Sequence, residues 1–169
     1  MKALSRIAIL VFVLLGIYSC AKKDDTTNSS SNTTNSNPQP TVTSFSVNGV
    51  AANSPIPGAS TIGRKFVISA TDGVYSYPQI KITFPDTLAP ISGPYTIVQT
   101  PISAFQCSFM LTTATSSTVT PTITSTASLG TVTVTAAATP NNSASFSNII
   151  CTNTGTTTTT FTVSGTIKY

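Results

Sequence analysis

Few residues in this chain can do chemistry. The thiols are Cys20, Cys107 and Cys151, the acids are Asp24, Asp25, Asp72 and Asp86, and there is no His and no Glu. General acid–base catalysis needs a titratable group matched to the working pH, and the part expected to fold offers only Asp72 and Asp86. No carboxylate pair for glycoside hydrolysis is visible. A Ser or Thr nucleophile would lack a base, zinc lacks His, and calcium needs more oxygen ligands than two aspartates supply, although carbonyls could contribute. Asp72-Gly73 and Pro85-Asp86 both read as turns, where Asp is favoured for bonding the backbone. The expectation is a protein that is not an enzyme and that holds no metal and no cofactor.

Two further groups could carry a role. Tyr75 and Tyr77, in Gly73-Val74-Tyr75-Ser76-Tyr77-Pro78, could project together from a loop as an aromatic platform for a glycan; the alternative is that they pack over the edge of the core. Cys107 and Cys151 could form a disulfide closing a loop of roughly 45 residues, which stabilises by a few kcal/mol in the chain-entropy picture. The alternative is two separate buried thiols. Cys107 lies on the apolar face of Phe105-Gln106-Cys107-Ser108-Phe109, and the face of Cys151 is ambiguous.

The third thiol sits in a different context. Met1 to Arg6 carries two cations, and an apolar run from Ile7 to Ile17 follows. This has the n-region and h-region of a secretory signal. It is too short to span a hydrocarbon core, which takes about 20 apolar residues. Ile17-Tyr18-Ser19-Cys20 resembles a bacterial lipobox. The resemblance implies cleavage before Cys20, a diacylglyceryl thioether on its sulfur and an acyl chain such as palmitate on the freed amine. Two or more chains hold a protein stably in a membrane where one does not. Lys22-Lys23-Asp24-Asp25 resembles the export signal of Bacteroidota surface lipoproteins, which implies an outer-membrane lipid as partner and a position facing the exterior.

The 169 residues carry a formal net charge of +4. Lys2 and Arg6 leave with the signal, so six cations stand against four acids in the mature chain. Charged residues make up only 7%. The high isoelectric point therefore reflects scarce acids and not a basic patch, and no nucleic-acid partner is expected. Thr26 to Pro40 is Thr, Ser, Asn, Pro and Gln with nothing apolar to bury, so it reads as a disordered tether. A coil of this length spans about 20–25 Å.

From Thr41 onward the hydrophobic period is two. Phe45 and Val47 precede Asn48-Gly49, a type I′ hairpin signal. Phe66, Ile68 and Ala70 share one face, as do Ile80, Ile82 and Phe84, then Tyr95 and Ile97, then Phe105, Cys107, Phe109 and Leu111. Val119, Pro121 and Ile123 follow, with Pro121 marking an edge. Val132 and Val134 form the next strand, Ala144, Phe146 and Ile150 share a face with Asn148, and Phe161, Val163, Ile167 and Tyr169 come last. About nine short strands with one wet face each predict an antiparallel β-sandwich, immunoglobulin-like or related. The organisation is thus a signal peptide over 1–19, a lipidated Cys20 with its linker over 20–40, and a β-sandwich domain over 41–169.

Phe45-Ser46-Val47-Asn48-Gly49, Ser92-Gly93-Pro94-Tyr95-Thr96, Gly130-Thr131-Val132-Thr133-Val134 and Val163-Ser164-Gly165-Thr166-Ile167 are similar in order and spacing to small Bacteroidota lipoproteins with one β-sandwich domain of unknown function. That family supplies no catalytic residues. Asp25-Thr26-Thr27 and Asp86-Thr87-Leu88 resemble the Bacteroidota O-glycosylation pattern, which implies sugars on Thr26 or Thr87. The expected function is that of a non-enzymatic surface lipoprotein with an adhesive, structural or envelope role toward a glycan or another surface protein. The alternative is a carbohydrate-binding accessory lipoprotein of a nutrient-uptake system.

Overall fold

The structure, a computed structural model, describes residues 42–114, 122–137, 141–153 and 158–169. Cys20, Thr26, Val119 and Pro121 lie outside the described residues. What is described is all β, with no helix. The eleven strands are β1 (Ser44–Val47), β2 (Val50–Ala51), β3 (Ile56–Ile62), β4 (Lys65–Thr71), β5 (Gln79–Thr83), β6 (Gly93–Ile97), β7 (Gln106–Ala114), β8 (Thr122–Ala127), β9 (Thr131–Thr135), β10 (Ser143–Asn153) and β11 (Thr159–Lys168). Nine were legible from the period-two pattern; β2 and β3 were not, and β8, expected at an edge, pairs with both β7 and β10.

Two long strands, β7 and β10, organise the sheet. One edge of β7 carries β5, β4 and β3 in turn, and one edge of β10 carries β11, β1 and β2. Between β7 and β10 there are two bridges. The β6–β9 pair joins them at one level, with β6 on β7 and β9 on β10, and β8 pairs with both at another. Hydrogen bonding therefore runs in a closed circuit through β7, β6, β9, β10 and β8. Ala127 stands opposite both Phe109 and Cys151. The expected purely antiparallel pattern needs one correction, since β6 and β7 run parallel. They can do so because the crossing segment between them, residues 98–105, returns the chain to the same end.

One core serves both wings. Ile68, Ile80, Ile82, Phe109 and Leu111 from the β4–β5–β7 side share a buried cluster with Phe146, Ile149, Val163 and Ile167 from the β10–β11 side. The rings of Phe109 and Phe146 meet edge to face at 5.0 Å, an arrangement that adds to what burial alone contributes. The outer positions of β9 and β11 are mostly Thr and Ser, as β propensity and a wet face allow.

The turns follow their residues. Asn48 and Gly49 have φ of 52° and 80°, the type I′ signature, and connect the paired Val47 and Val50. Gly63 and Arg64, at 55° and 65°, do the same between Ile62 and Lys65. That second hairpin was hidden because β3 is exposed on both faces and shows no alternation, while Pro57-Gly58 imitates a loop.

Two face assignments change. Phe105 precedes β7 and is exposed, with φ of 60°, so it does not continue the apolar face of Cys107 and Phe109. In β10 the register shifts between Phe146 and Ile149, a bulge at which Asn148 takes φ of 51° and its N–H donates to Ser164 Oγ. An extra residue reverses the alternation beyond it. Ile149 and Cys151 therefore point inward and Ile150 is 57% exposed, whereas strict alternation had placed Ile150 inside.

Candidate functional site

Asp72 follows β4 and is only 3% exposed. A buried carboxylate must be paired, and its partners here are four N–H groups. Oδ2 accepts from the Asn53 backbone N–H at 2.7 Å and from Asn53 Nδ2 at 3.2 Å. Oδ1 accepts from Val74 and Tyr75 N–H, each at 2.9 Å. Burial alone would raise the carboxyl's pKa, but the bonds from Asn53, Tyr75 and Val74 outweigh it and hold the group below its ordinary value. With both oxygens committed to N–H donors, Asp72 has little left to offer a cation.

The same residue closes the loop that follows. Asp72 N–H donates to Pro78 O at 3.0 Å and Ser76 N–H donates to Asp72 O at 3.1 Å, while Gly73 N–H donates to Asn53 O at 2.9 Å. The approach to Asn53 and Ser54 is so close that a Cβ on Gly73 would lie 2.3 Å from Ser54 O. Ser76 takes φ of 62° and the Tyr77–Pro78 peptide is cis. The 72–78 loop is thus a closed turn pinned to the segment after β2.

Tyr75 and Tyr77 come out of that turn onto one groove of about 400 Å³. Its other walls include Val47 and Val50 of the first hairpin and Thr113 at the end of β7. The structure thus brings the two sequence-nominated tyrosines together, with Tyr75 exposed and Tyr77 half-buried. It adds residues that sequence reading missed, chiefly Val47, Val50 and Asn53. No local signal could have nominated them, because Asn53 lies 19 residues from Asp72. A groove of tyrosine rings, apolar wall and hydroxyls can stack on the apolar face of a sugar and bond its hydroxyls.

Cys107 and Cys151 are two free, buried thiols, not a disulfide. Topology explains why. Cys151 pairs with Ala127 across to β8, and Ala127 faces Phe109 on β7, so a whole strand stands between the two cysteine-bearing strands. Two strand spacings amount to about 9–10 Å, beyond the Cα separation of roughly 4.4–6.8 Å that a disulfide accepts. Burial pushes each thiol up to about 12.

Thr87 is exposed in the bend after β5, where Asp86 Oδ1 accepts from its N–H at 2.6 Å and from its hydroxyl at 3.3 Å. Its side chain is open to solvent. Among the described residues no three His, Cys, Asp or Glu side chains gather as a metal site, and no helix is long and apolar enough to cross a membrane. Comparison with known protein families, with curated proteins and with solved structures finds no match for this chain.

Proposed function

We propose that this chain is a non-enzymatic lipoprotein, held in the outer membrane through acylated Cys20 and facing the exterior, with an adhesive role. The signal-like segment ending in Ile17-Tyr18-Ser19-Cys20 and the Lys22-Lys23-Asp24-Asp25 run support the anchor and its side. The observation that carries the adhesive role is the convergence of Tyr75 and Tyr77 on one groove beside an Asp72 whose charge is consumed internally. Such a groove favours an uncharged carbohydrate: a tyrosine ring stacks on a sugar face, and the hydroxyls of Tyr75, Tyr77 and Thr113 bond its rim.

A glycan array probed with the mature chain tests this. Binding to a neutral glycan that falls at least tenfold in both Tyr75→Ala and Tyr77→Ala supports the reading. Binding unaffected by either change removes the groove as the site, and no binding to any glycan removes the sugar and leaves a structural or envelope role. The anchor is tested separately by mass spectrometry of the mature amino terminus, where an unmodified Cys20 would overturn it. A second reading, an accessory lipoprotein of a nutrient-uptake system, rests on the same groove. It requires that deleting the protein slow growth on the glycan it binds.

A further inference from the structure

The chain enters the described domain at Val42, and the contacts around that point define one end of the strands. Thr43 Oγ1 accepts from Lys168 N–H at 2.9 Å, and Tyr169 N–H donates to Asn142 O at 3.0 Å. Nearby, Ser92 Oγ accepts from Ala136 N–H at 2.8 Å. A run of rings continues from Tyr169 to Phe66 at 6.1 Å, Phe66 to Phe84 at 6.5 Å, Phe84 to Tyr95 at 5.0 Å and Tyr95 to Phe105 at 5.5 Å. The Tyr75–Tyr77 groove lies at the opposite end, beyond the far terminus of β7. Nine residues of β7 separate the two ends by roughly 30 Å.

The end where the chain enters is apolar and cationic. Leu88 and Ile91, in the segment after β5, are 74% and 63% exposed, and Ile102 and Phe105, in the segment before β7, are 81% and 46% exposed. They rim a groove of about 390 Å³ over Phe84 and Tyr95. Phe105 is held there in a left-handed conformation, φ 60°, while its carbonyl accepts from Thr96 N–H at 2.9 Å. A bulky residue kept in that region is unfavourable and is retained where the surroundings impose it, often at working surfaces. Phe66 N–H donates to Asp86 O, so the start of β4 belongs to this end, and with it Arg64 and Lys65. Lys168 is here too. Three of the four cations among the described residues thus collect at this end against one acid, Asp86, while Asp72 sits at the other.

The geometry points to this end as the surface on which the domain rests against an anionic lipid bilayer. Leu88, Ile91, Ile102 and Phe105 enter the interfacial layer, and Arg64, Lys65 and Lys168 meet the headgroup phosphates. The inference rests on the proposal that Cys20 is acylated. From Cys20, the 21 residues 21–41 lead directly to this end of the domain and not to the Tyr75 end. The tether expected there from its Thr, Ser, Asn, Pro and Gln composition has a root-mean-square span of about 25 Å. Tethering at that range corresponds to an effective concentration on the order of millimolar. An apolar patch and a few cations, each weak alone, then suffice for a seated state. Seating this end turns the tyrosine groove outward.

The test places a tryptophan at either end of the mature chain, which has no native Trp. The acylated Ile102→Trp and Tyr75→Trp proteins are reconstituted in phosphatidylethanolamine–phosphatidylglycerol vesicles with brominated acyl chains. The expected result is a blue-shifted, bromine-quenched emission for Trp at 102 and a water-like, unquenched emission for Trp at 75. Water-like, unquenched emission at 102 overturns the inference, as does a sedimentation shift showing that the apolar end is covered by a second copy. The Cys20→Ala chain separates this from the anchor itself. It should sediment weakly with the same vesicles, several-fold less after Ile102→Ser or in high salt, and not with phosphatidylcholine vesicles. If Cys20 proves bare in the native protein, that sedimentation result decides alone, and its absence overturns the surface as well.

Discussion

Asp72 fastens two loops with a single carboxylate, and the tyrosine groove depends on that fastening. Replacing it with Asn keeps the shape but removes the charge from bonds to Asn53, Val74 and Tyr75, and leaves an amide group facing N–H donors. A loss on the order of 2 kcal/mol is expected, since bonds to charged groups contribute more than neutral ones. The pH dependence has a definite sign. The folded carboxyl lies below its ordinary value of 3.8, so the unfolded chain binds the proton more readily. Its contribution is fully present above that value and is lost as pH falls through the lower folded one. Denaturant midpoints measured on both sides of 3.8 should fall in acid for the native chain, and Asp72→Asn should lack that share of the slope. The thiols give a second test at this scale. With Cys107 and Cys151 both near 12 and buried, iodoacetamide at about pH 8 should leave the folded protein almost unlabelled and add two groups in denaturant. Failure of both sites to label after unfolding without reductant would reveal a bridge after all. Tyr75 and Tyr77 were legible because two aromatics follow the Asp72-Gly73 turn signal closely, whereas the role of Asp72 was not, because turn chemistry explains an Asp without showing which distant backbone it holds.

At the scale of elements, the period-two pattern found nine of the eleven strands, and its failures have physical causes. β3 is wet on both faces, so it carries no alternation to read. β10 contains a residue that belongs to neither face, and one-residue slips are invisible when the neighbours on each side are Phe146, Ile149, Ile150 and Cys151, apolar in either phase. Paired substitutions expose the bulge. Ile149→Ala should cost about 2–4 kcal/mol, as buried aliphatic truncations do. Ile150→Ala should change stability by less than roughly 0.5 kcal/mol, because its side chain faces water. Equal losses in thermal or denaturant unfolding would mean that the strand alternates without interruption. The all-β class was readable from the same pattern, but the parallel β6–β7 contact and the two bridges between β7 and β10 were not, because pairing partners are a property of the closed sheet and not of any one segment.

At the scale of the whole molecule, β1 pairs with β11 across nearly the full described length, so no half of the domain closes its core without the other. Folding dominated by such non-local pairing is slow and leaves strand borders uncovered for longer. The closed circuit of strands leaves two outer borders among the described residues, β2 and β3. β2 is two residues long and offers little. β3 is seven residues long, and nothing on it is charged. Because Ile62 and Lys65 close a two-residue turn, Ile62, Ser60, Gly58 and Ile56 spend their backbone groups on β4. Thr61, Ala59 and Pro57 turn theirs outward. Pro57 has no N–H to give there, which interrupts the row a stray strand would have to match. Pro57→Thr should therefore leave the monomer folded yet promote fibrillar self-association, visible as rising light scattering and thioflavin fluorescence. Wherever copies are held at high local density, that one imino acid should keep neighbours from knitting into a shared sheet.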